Sequence, residues 1–209
     1  MDEVGLLNNY FSKNHDYRTG QLPIQHRALA YPDDDWDYFN ECNLDSAYSD
    51  VTVISNRSTT TAADYKNRLT DNYEWIHVCV HSSSNHHAFK GGTAGYVYDT
   101  DIINIDPLSL FYNLFACSNS RYTTSDYMGG HYIFAQTYGL GAVGSTKAGS
   151  MLQYIPFYSA LGPTSRKNLG ESFRDWFSAR DLSNFSNQCW FYGMTLLADP
   201  TLSLDPPLA

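Results

Sequence analysis

Residues 110–119 read Leu-Phe-Tyr-Asn-Leu-Phe-Ala-Cys-Ser-Asn, an apolar run that ends in a cysteine followed by small polar residues. A short apolar run with turn-forming residues on both sides favours a buried strand over a helix. We therefore predict a strand over Leu110–Cys117 that delivers the Cys117 thiol to the edge of a sheet. Ligands bind outside the carboxyl ends of the strands in open parallel sheets, so a cysteine at this edge is placed for chemistry.

A second run ends in the same way. Glu74–Val80 is rich in strand-forming residues and is followed directly by His81 and three serines. If it forms the neighbouring strand, His81 and Cys117 reach the same sheet edge. A thiolate is the reactive form of cysteine, and a nearby imidazole can accept the thiol proton during attack. The same residues also fit an inert core cysteine and an unrelated histidine, because one residue of each type carries little information.

Three more runs have the continuous apolar or small-residue character of strands covered on both faces: Arg27–Tyr31, Asp50–Ser55 and Gly141–Thr146. Helical patterns lie around them, at Val4–Asn14, from Pro32 to about Asp45, at Ala62–Asn72, at Asp126–Tyr138 and at Leu169–Arg180. The region Ser82–Asp106 is interpreted as a long loop with a small ribbon at Tyr96–Tyr98. The alternation of strands and helices predicts an α/β fold with a mostly parallel central sheet and helices on both faces.

Three carboxylates, Asp33, Asp34 and Asp35, follow the first predicted strand. The simplest interpretation is a helix N-terminus and a solvated turn. The alternatives are a carboxylate that orients His81 or a cation site, so a structural calcium ion is a second possibility for them. His86 and His87 are adjacent and would point in different directions, so we interpret them as solvent-facing loop residues and predict no metal site there.

The composition indicates a folded single-domain protein and argues against nucleic-acid binding and a membrane span. The chain has 209 residues, 43% of them hydrophobic and 17% charged, which is typical of one folded domain with a real core. Its net charge of −9, from 13 basic and 22 acidic residues, argues against a nucleic-acid partner. No stretch approaches the roughly 20 apolar residues of a membrane span.

The four cysteines, Cys42, Cys79, Cys117 and Cys189, show neither a CxxC pair nor the spacing of a zinc site. A disulfide framework is therefore not expected. Cys79 lies within a predicted strand and Cys42 within a predicted helix, so both are interpreted as small core residues. A single bridge to Cys189 stays open.

Around the two candidate residues the sequence resembles the gingipain-type cysteine peptidases, relatives of the caspases. The resemblance rests on four segments in the same order along the chain: Trp75–His81, Leu114–Asn119, Gly141–Thr146 and Leu196–Leu202. It implies a caspase-like three-layer sandwich and one peptidase domain over residues 1–209, which could be part of a longer chain. It also implies export from the cytoplasm, although the amino end has no signal-peptide pattern.

The resemblance implies that Cys117 is the nucleophile and His81 the general base and acid, acting on a protein or peptide substrate without a cofactor. Backbone N–H groups of Cys117 and of Ser82 or Ser83 would bind the oxyanion. The substrate strand would lie along the segment after the Gly141–Thr146 strand, with contacts expected from Ser145, Thr146, Lys147, Ser150 and Met151. The family's best-known members cleave after Arg or Lys, and an acidic pocket floor could come from Asp99, Asp101 or the Asp33–Asp35 cluster. A Lys147 ammonium in the pocket would favour acidic or neutral residues instead.

Two departures from the family pattern keep other functions open. The family usually has glycine directly after the catalytic histidine and before the late Asp-Pro, where this chain has Ser82 and Ala198. These departures would suit a catalytically inactive caspase-like binding module. A flavodoxin-type protein is a weaker alternative, because no glycine-rich phosphate loop follows the first strand.

Overall fold

The computed structural model describes residues 2–204, and a six-stranded sheet with helices on both faces forms its centre. In chain order the strands are β1 Ala28–Pro32, β2 Val51–Val53, β3 Trp75–Cys79, β4 His81–Ser82, β5 His86–Ala88, β6 Tyr96–Tyr98, β7 Phe111–Phe115, β8 Gly141–Ser145 and β9 Met194–Ala198. The helices are α1 Glu3–Arg18, α2 Ala62–Arg68, α3 Asp99–Ile105, α4 Met128–Ile133, α5 Ile155–Leu161, α6 Leu169–Ser178 and α7 Phe185–Phe191.

The central sheet has the strand order β2-β1-β3-β7-β8-β9. Its first five strands are parallel, as the apolar runs predicted, and only β9 runs antiparallel, against β8. The strands β1, β3, β7 and β8 are buried at every position, because helices or loops cover both faces. The mixed α/β fold with a mostly parallel sheet is thereby confirmed.

Each face of the sheet has its own aromatic core. One face carries Trp75 and Phe111, which pack with Tyr158 of α5 and Trp176 of α6. The other face carries Tyr112, whose ring lies 4.5 Å from that of Tyr132 in α4. Because these large aromatic side chains are almost wholly buried, each contributes a large apolar area to the core.

The prediction of a helix from Pro32 to about Asp45 is wrong. Two short 3₁₀ helices, Asp37–Phe39 and Leu44–Ser46, lie there instead. Between them Asn40, Cys42 and Asn43 have positive φ, of 49°, 53° and 59°. An α-helix of L-residues cannot continue through such positions.

Several other elements differ from the predictions. In the predicted loop Ser82–Asp106 the expected ribbon at Tyr96–Tyr98 is present as β6, but it pairs with β4 and β5 in a second, antiparallel sheet, and α3 follows. The sequence patterns also missed α5, α7 and β9. The remaining predicted helices exist with different ends: α1 is longer than predicted, and α2 and α4 are shorter. No helix within residues 2–204 is both long and apolar enough to cross a membrane.

The carboxy-terminal segment fastens α1 to the sheet. Asp199, just after β9, accepts hydrogen bonds from Arg18 at 2.8 Å and from Asn14 at 3.2 Å. The Tyr10 hydroxyl of α1 accepts from the Asp199 N–H and donates to the Leu140 carbonyl, both at 2.8 Å. The Asp-Pro segment therefore has structural contacts in this chain.

His87 does not face solvent as predicted. Its side chain is fully buried beneath the small sheet, and its Nε2 lies 3.2 Å from the Tyr132 hydroxyl. Burial, with a smaller contribution from the neighbouring His86, lowers the pKa of His87 from 6.5 to about 3. The ring is therefore neutral in the folded protein at any ordinary pH.

This burial should make the protein sensitive to acid. Between pH 6.5 and 3 the unfolded chain binds a proton on His87 that the folded chain does not, so stability falls as the pH drops through this range. The His87 contribution is about 1.4 kcal/mol per pH unit. Urea unfolding at pH 6.5 and pH 5 should show a shallower pH dependence in His87→Phe, whereas His15→Phe, at an exposed position of α1, should match the parent. Equal slopes in all three proteins would contradict this account.

Candidate active site

The two candidate catalytic residues emerge at one edge of the central sheet. β3 and β7 are parallel neighbours with Cys79 opposite Phe115, and the Val80 N–H donates to the Phe115 carbonyl at 3.2 Å. His81 and Cys117 follow directly, each two residues beyond its strand. The side chain of His81 is about half exposed, and Cys117 is partly exposed, so reagents can reach both.

A direct hydrogen bond joins the two segments. The hydroxyl of Ser82, the residue after His81, donates to the carbonyl oxygen of Cys117. The structure therefore holds the residue beside the imidazole against the backbone of the thiol-bearing residue. A glycine at position 82 could not form this contact, so Ser82 adds a link that the family pattern lacks.

Asn119 shapes the turn that presents Cys117. Its side-chain amide is fully buried and donates to the carbonyl of Leu114 at 3.2 Å and to that of Ala116. The Asn119 Oδ1 packs so closely on Gly144 of β8 that a Cβ there would lie 2.3 Å away. Only glycine fits at position 144, which explains a small residue in the middle of a buried strand.

The carboxylate of Asp35 lies against His81. Oδ2 of Asp35 is 2.7 Å from Nε2 of the imidazole. A carboxylate only accepts hydrogen bonds, so in the neutral ring Nε2 carries the proton and Nδ1 is left as the basic nitrogen. Both side chains are about half exposed or more, so solvent screens the pair, and its main effect is to fix the ring orientation and tautomer.

The other two aspartates of the cluster lie in different surroundings. Asp33 is fully buried, and its Oδ2 accepts the backbone N–H of Lys90 at 2.5 Å. Burial raises the pKa of Asp33, although that backbone hydrogen bond acts the other way. Neither Asp33 nor Asp34 has a hydrogen bond to His81 among the contacts of residues 2–204. The structure thus brings only Asp35 of the three candidates to the imidazole.

Trp36 is a residue of the site that the sequence patterns did not identify. Its ring lies 4.8 Å from the ring of His81 and 5.9 Å from that of Phe115, at the end of β7. It therefore forms an apolar wall behind the imidazole. An aromatic residue directly after the last of three aspartates was the only signal for it in the sequence.

The pairing of β4 with β5 shows which backbone N–H groups near His81 are free to bind an oxyanion. The Ser83 N–H donates to the His86 carbonyl at 3.0 Å, so Ser83 is not available as the alternative donor. Hydrogen-bonded and non-bonded pairs alternate along an antiparallel ladder, and therefore the N–H of Ser82 faces away from β5. The Cys117 N–H has no acceptor among the contacts of residues 2–204.

The segment after β8 lies beside Cys117. The Ser118 N–H donates to the Lys147 carbonyl at 2.9 Å, and Arg121 Nε donates to the Thr146 carbonyl at 3.0 Å. Thr146 and Lys147 are partly exposed and are the predicted substrate contacts that the structure leaves accessible.

The other three residues predicted to contact the substrate are buried, so that part of the prediction is wrong. Ser145 and Met151 are fully buried and Ser150 is 5% exposed. The sulfur of Met151 points into the core, where Asn113 Nδ2 donates to it at 3.4 Å. None of the three side chains is open to a substrate in this conformation, because Ser145 lies within the buried strand β8 and the chain returns to the core after the exposed Ala148.

The carboxylates expected to form an acidic pocket floor have other partners. Asp101 lies 3.3 Å from the Lys66 ammonium and accepts the Tyr98 N–H at the start of α3. Asp99 accepts the N–H of the next residue, Thr100, at 2.8 Å. Asp33 is buried and Asp35 lies on His81, whereas the cationic Arg121 contacts the Thr146 carbonyl and Lys147 belongs to the same segment.

No protein-family model and no curated protein sequence matches the chain. Solved structures do match it. One described as the structure of a protease has a TM-score of 0.69 at 11% identity over 95% of this chain and 53% of its own. The Arg-specific cysteine proteinase gingipain R has a TM-score of 0.66 at 12% identity over 94% of this chain and 52% of its own.

A third match is a complex of the pro- and mature domains of RgpB from Porphyromonas gingivalis, with a TM-score of 0.57 at 11% identity over 95% of this chain and 52% of that chain. The chain therefore spans about half the length of the solved proteases it matches. At these identities the likeness concerns the fold, and this chain has the caspase-like fold of gingipain.

Proposed function

We propose that this protein is a cysteine peptidase in which Cys117 is the nucleophile, His81 the general base and acid, and Asp35 the residue that orients His81. The observation that carries the proposal is the arrangement at one sheet edge. The His81 Nε2 is hydrogen-bonded to Asp35 Oδ2 at 2.7 Å, and the hydroxyl of the adjacent Ser82 donates to the Cys117 carbonyl. Enzymes that transfer acyl groups through a covalent intermediate usually have a nucleophile, a base that activates it and a third group that orients the base.

The proposed reaction proceeds through a thioester. Cys117 Sγ attacks the peptide carbonyl carbon while Nδ1 of His81 takes the thiol proton, and the N–H groups of Cys117 and Ser82 stabilise the oxyanion. Collapse of this intermediate breaks the C–N bond, and the departing amine takes the proton from His81. A water molecule then attacks the thioester as His81 accepts its proton. The carboxylic acid leaves and the proton returns to sulfur.

The fold of the matched proteases supports a hydrolase of this kind, and the alternative is a caspase-like binding module without activity. The departures at Ser82 and Ala198 favour that alternative. Ser82, however, makes a hydrogen bond that holds the two catalytic segments together, and its N–H direction suits an oxyanion donor. Ala198 lies in β9, away from the sheet edge that carries His81.

A panel of fluorogenic peptides with Arg, Lys, Asp, Asn or Ala before the scissile bond tests the proposal. We expect turnover of at least one substrate. Because the cationic Arg121 contacts the Thr146 carbonyl and Lys147 follows in the same segment, the Asp, Asn and Ala substrates should be cleaved faster than those with Arg or Lys. Faster cleavage after Arg or Lys would contradict this assignment of the pocket while keeping the peptidase.

The same assay with iodoacetamide separates the peptidase from the inactive module. Alkylation of Cys117 should be faster than that of Cys189, which is exposed on α7 and has no hydrogen bond to an imidazole among residues 2–204, and it should stop turnover. The matched control Cys189→Ser should keep full activity. No turnover of any substrate, with Cys117 and Cys189 alkylated at similar rates, would favour the binding module.

A further inference from the structure

Three metal-ligating side chains meet inside the core on one face of the sheet. Cys42, His77 and Cys79 place their ligand atoms within 4.8 Å of one another, and each residue has no exposed surface. Among residues 2–204 this is the only group of three or more His, Cys, Asp or Glu residues with that spacing. The mechanism proposed above uses none of them.

The strands and the preceding loop both contribute to the group. His77 and Cys79 are two residues apart on β3, so their side chains lie on the same face of the sheet. Cys42 comes from the segment between the two 3₁₀ helices and has φ of 53°, and Asn40 and Asn43 beside it also have positive φ. Cys42 is the residue of this segment least suited to positive φ, and this conformation places its side chain in the core beside Cys79.

His77 has a free nitrogen at this point. Its Nδ1 lies 2.8 Å from the Tyr158 hydroxyl, whereas its Nε2 has no hydrogen-bond partner although it is completely buried. A buried polar atom without a partner costs on the order of 1–3 kcal/mol. An imidazole bound to a metal through one nitrogen, with its other nitrogen held by a hydrogen bond, is the usual arrangement in metalloproteins.

We propose that Cys42, His77 and Cys79 bind a thiophilic divalent metal ion of the zinc class. On binding, both thiols lose their protons to solvent, and two thiolates with one neutral imidazole surround the ion. The two negative charges balance the charge of the ion, which makes the burial of the whole group tolerable. Cysteine and histidine are the ligands that zinc prefers, and three protein ligands leave one position for a water molecule or a further side chain.

The surrounding hydrogen bonds can adjust to such an ion. The Tyr158 hydroxyl accepts from Trp75 Nε1 at 3.2 Å and from Asn113 Nδ2 at 3.1 Å, so its own proton goes to His77 Nδ1. Binding through Nε2 moves the imidazole proton to Nδ1, which must then donate. Asn113 Oδ1 is buried without a partner, and reversal of this amide would let that oxygen accept the Tyr158 proton.

The site has a consequence for the candidate active site. Cys42 belongs to the segment that follows Asp35 and Trp36, and His77 and Cys79 belong to the strand that leads to His81. An ion held by these three residues would fasten the loop that carries Asp35 to the strand that carries His81. The proposal stands on the geometry of the core and does not depend on peptidase activity.

The test is cobalt titration of the Cys117→Ala protein, in which the candidate catalytic thiol is absent. After chelator treatment under reducing conditions, Co²⁺ should produce a thiolate-to-cobalt absorption band that saturates at one ion per chain, and Zn²⁺ should abolish it. Adding Cys42→Ser or Cys79→Ser should remove most of the band. Adding Cys189→Ser, at the exposed cysteine, should leave it unchanged.

Metal analysis of the protein purified without chelator, from zinc-supplemented medium, covers the case in which a serine variant does not fold. About one zinc ion per chain is expected, together with a melting temperature that rises when zinc is restored to the stripped protein. Protein with no cobalt band and no bound zinc would overturn the proposal. A Cys42–Cys79 disulfide in the native protein would also overturn it, since both thiol ligands would then be consumed.

Discussion

Replacement of His81 by alanine is expected to lower kcat/KM for the best peptide substrate by about 10³-fold or more. The reason is that the Cys117 thiol would have to react without its proposed base, and the described contacts bring no carboxylate or other imidazole to the Cys117 segment in its place. Added imidazole should restore part of the rate, because the space left by the ring stays open to solvent beside Trp36.

The matched control is His15→Ala, on the exposed side of α1 far from β3 in the chain. It should keep the parent rate and show no response to imidazole. If His81→Ala kept more than about a tenth of the parent activity, the assignment of His81 as general base would be wrong.

Replacement of Asp35 by alanine is expected to lower kcat by about 10- to 100-fold, because a misplaced catalytic group costs a factor of this size. The expected loss is smaller than for His81, since the carboxylate acts only by orienting the ring at 2.7 Å and is itself solvated. The parent and variant should bind substrate about equally, so KM should change little while kcat falls.

Asp34→Ala is the control for this prediction. Asp34 has the same charge and is the adjacent residue, but it makes no described hydrogen bond to His81. It should keep most of the parent kcat. Equal losses in the two variants would show that the acidic cluster acts through its overall charge and would contradict the orienting contact.

The sequence predicted those parts of the fold that depend on local composition. Arg27–Tyr31, Glu74–Val80 and Leu110–Cys117 are continuous apolar runs because both faces of β1, β3 and β7 are covered, and this pattern is readable without tertiary information. β9 was missed because it is an antiparallel edge strand, mostly half-buried, with no strong pattern of its own. α5 was missed although Pro156 in its first turn is a helix-start signal.

The helix expected after Pro32 shows where local signals mislead. The aspartates there resemble a helix N-terminus. Three positions that follow have positive φ, however, and they interrupt the helix, so that only two three-residue 3₁₀ helices form. Asparagine tolerates this conformation better than most residues, and two of the three positions are asparagines. The third is Cys42, whose backbone conformation no sequence pattern predicted.

The candidate site was predictable only in part. His81 and Cys117 stood out because each lies at the carboxyl end of a predicted strand, whereas Asp33, Asp34 and Asp35 could not be separated by sequence. Burial of Asp33 and the contact of Asp35 with His81 are tertiary features. The proximity of Cys42 to His77 and Cys79 is of the same kind, because the three residues come from a loop and a strand that are distant along the chain.

The most direct test of the central claim is detection of the acyl-enzyme. The protein is mixed with a peptide ester of the preferred residue, quenched in acid within one turnover and examined by mass spectrometry with peptide mapping. A thioester on Cys117 is predicted, in an amount approaching one acyl group per active chain, and its hydrolysis should be slowed in His81→Ala. Absence of any adduct during measurable turnover, or an adduct on Cys189 instead of Cys117, would contradict the assignment of Cys117 as the nucleophile.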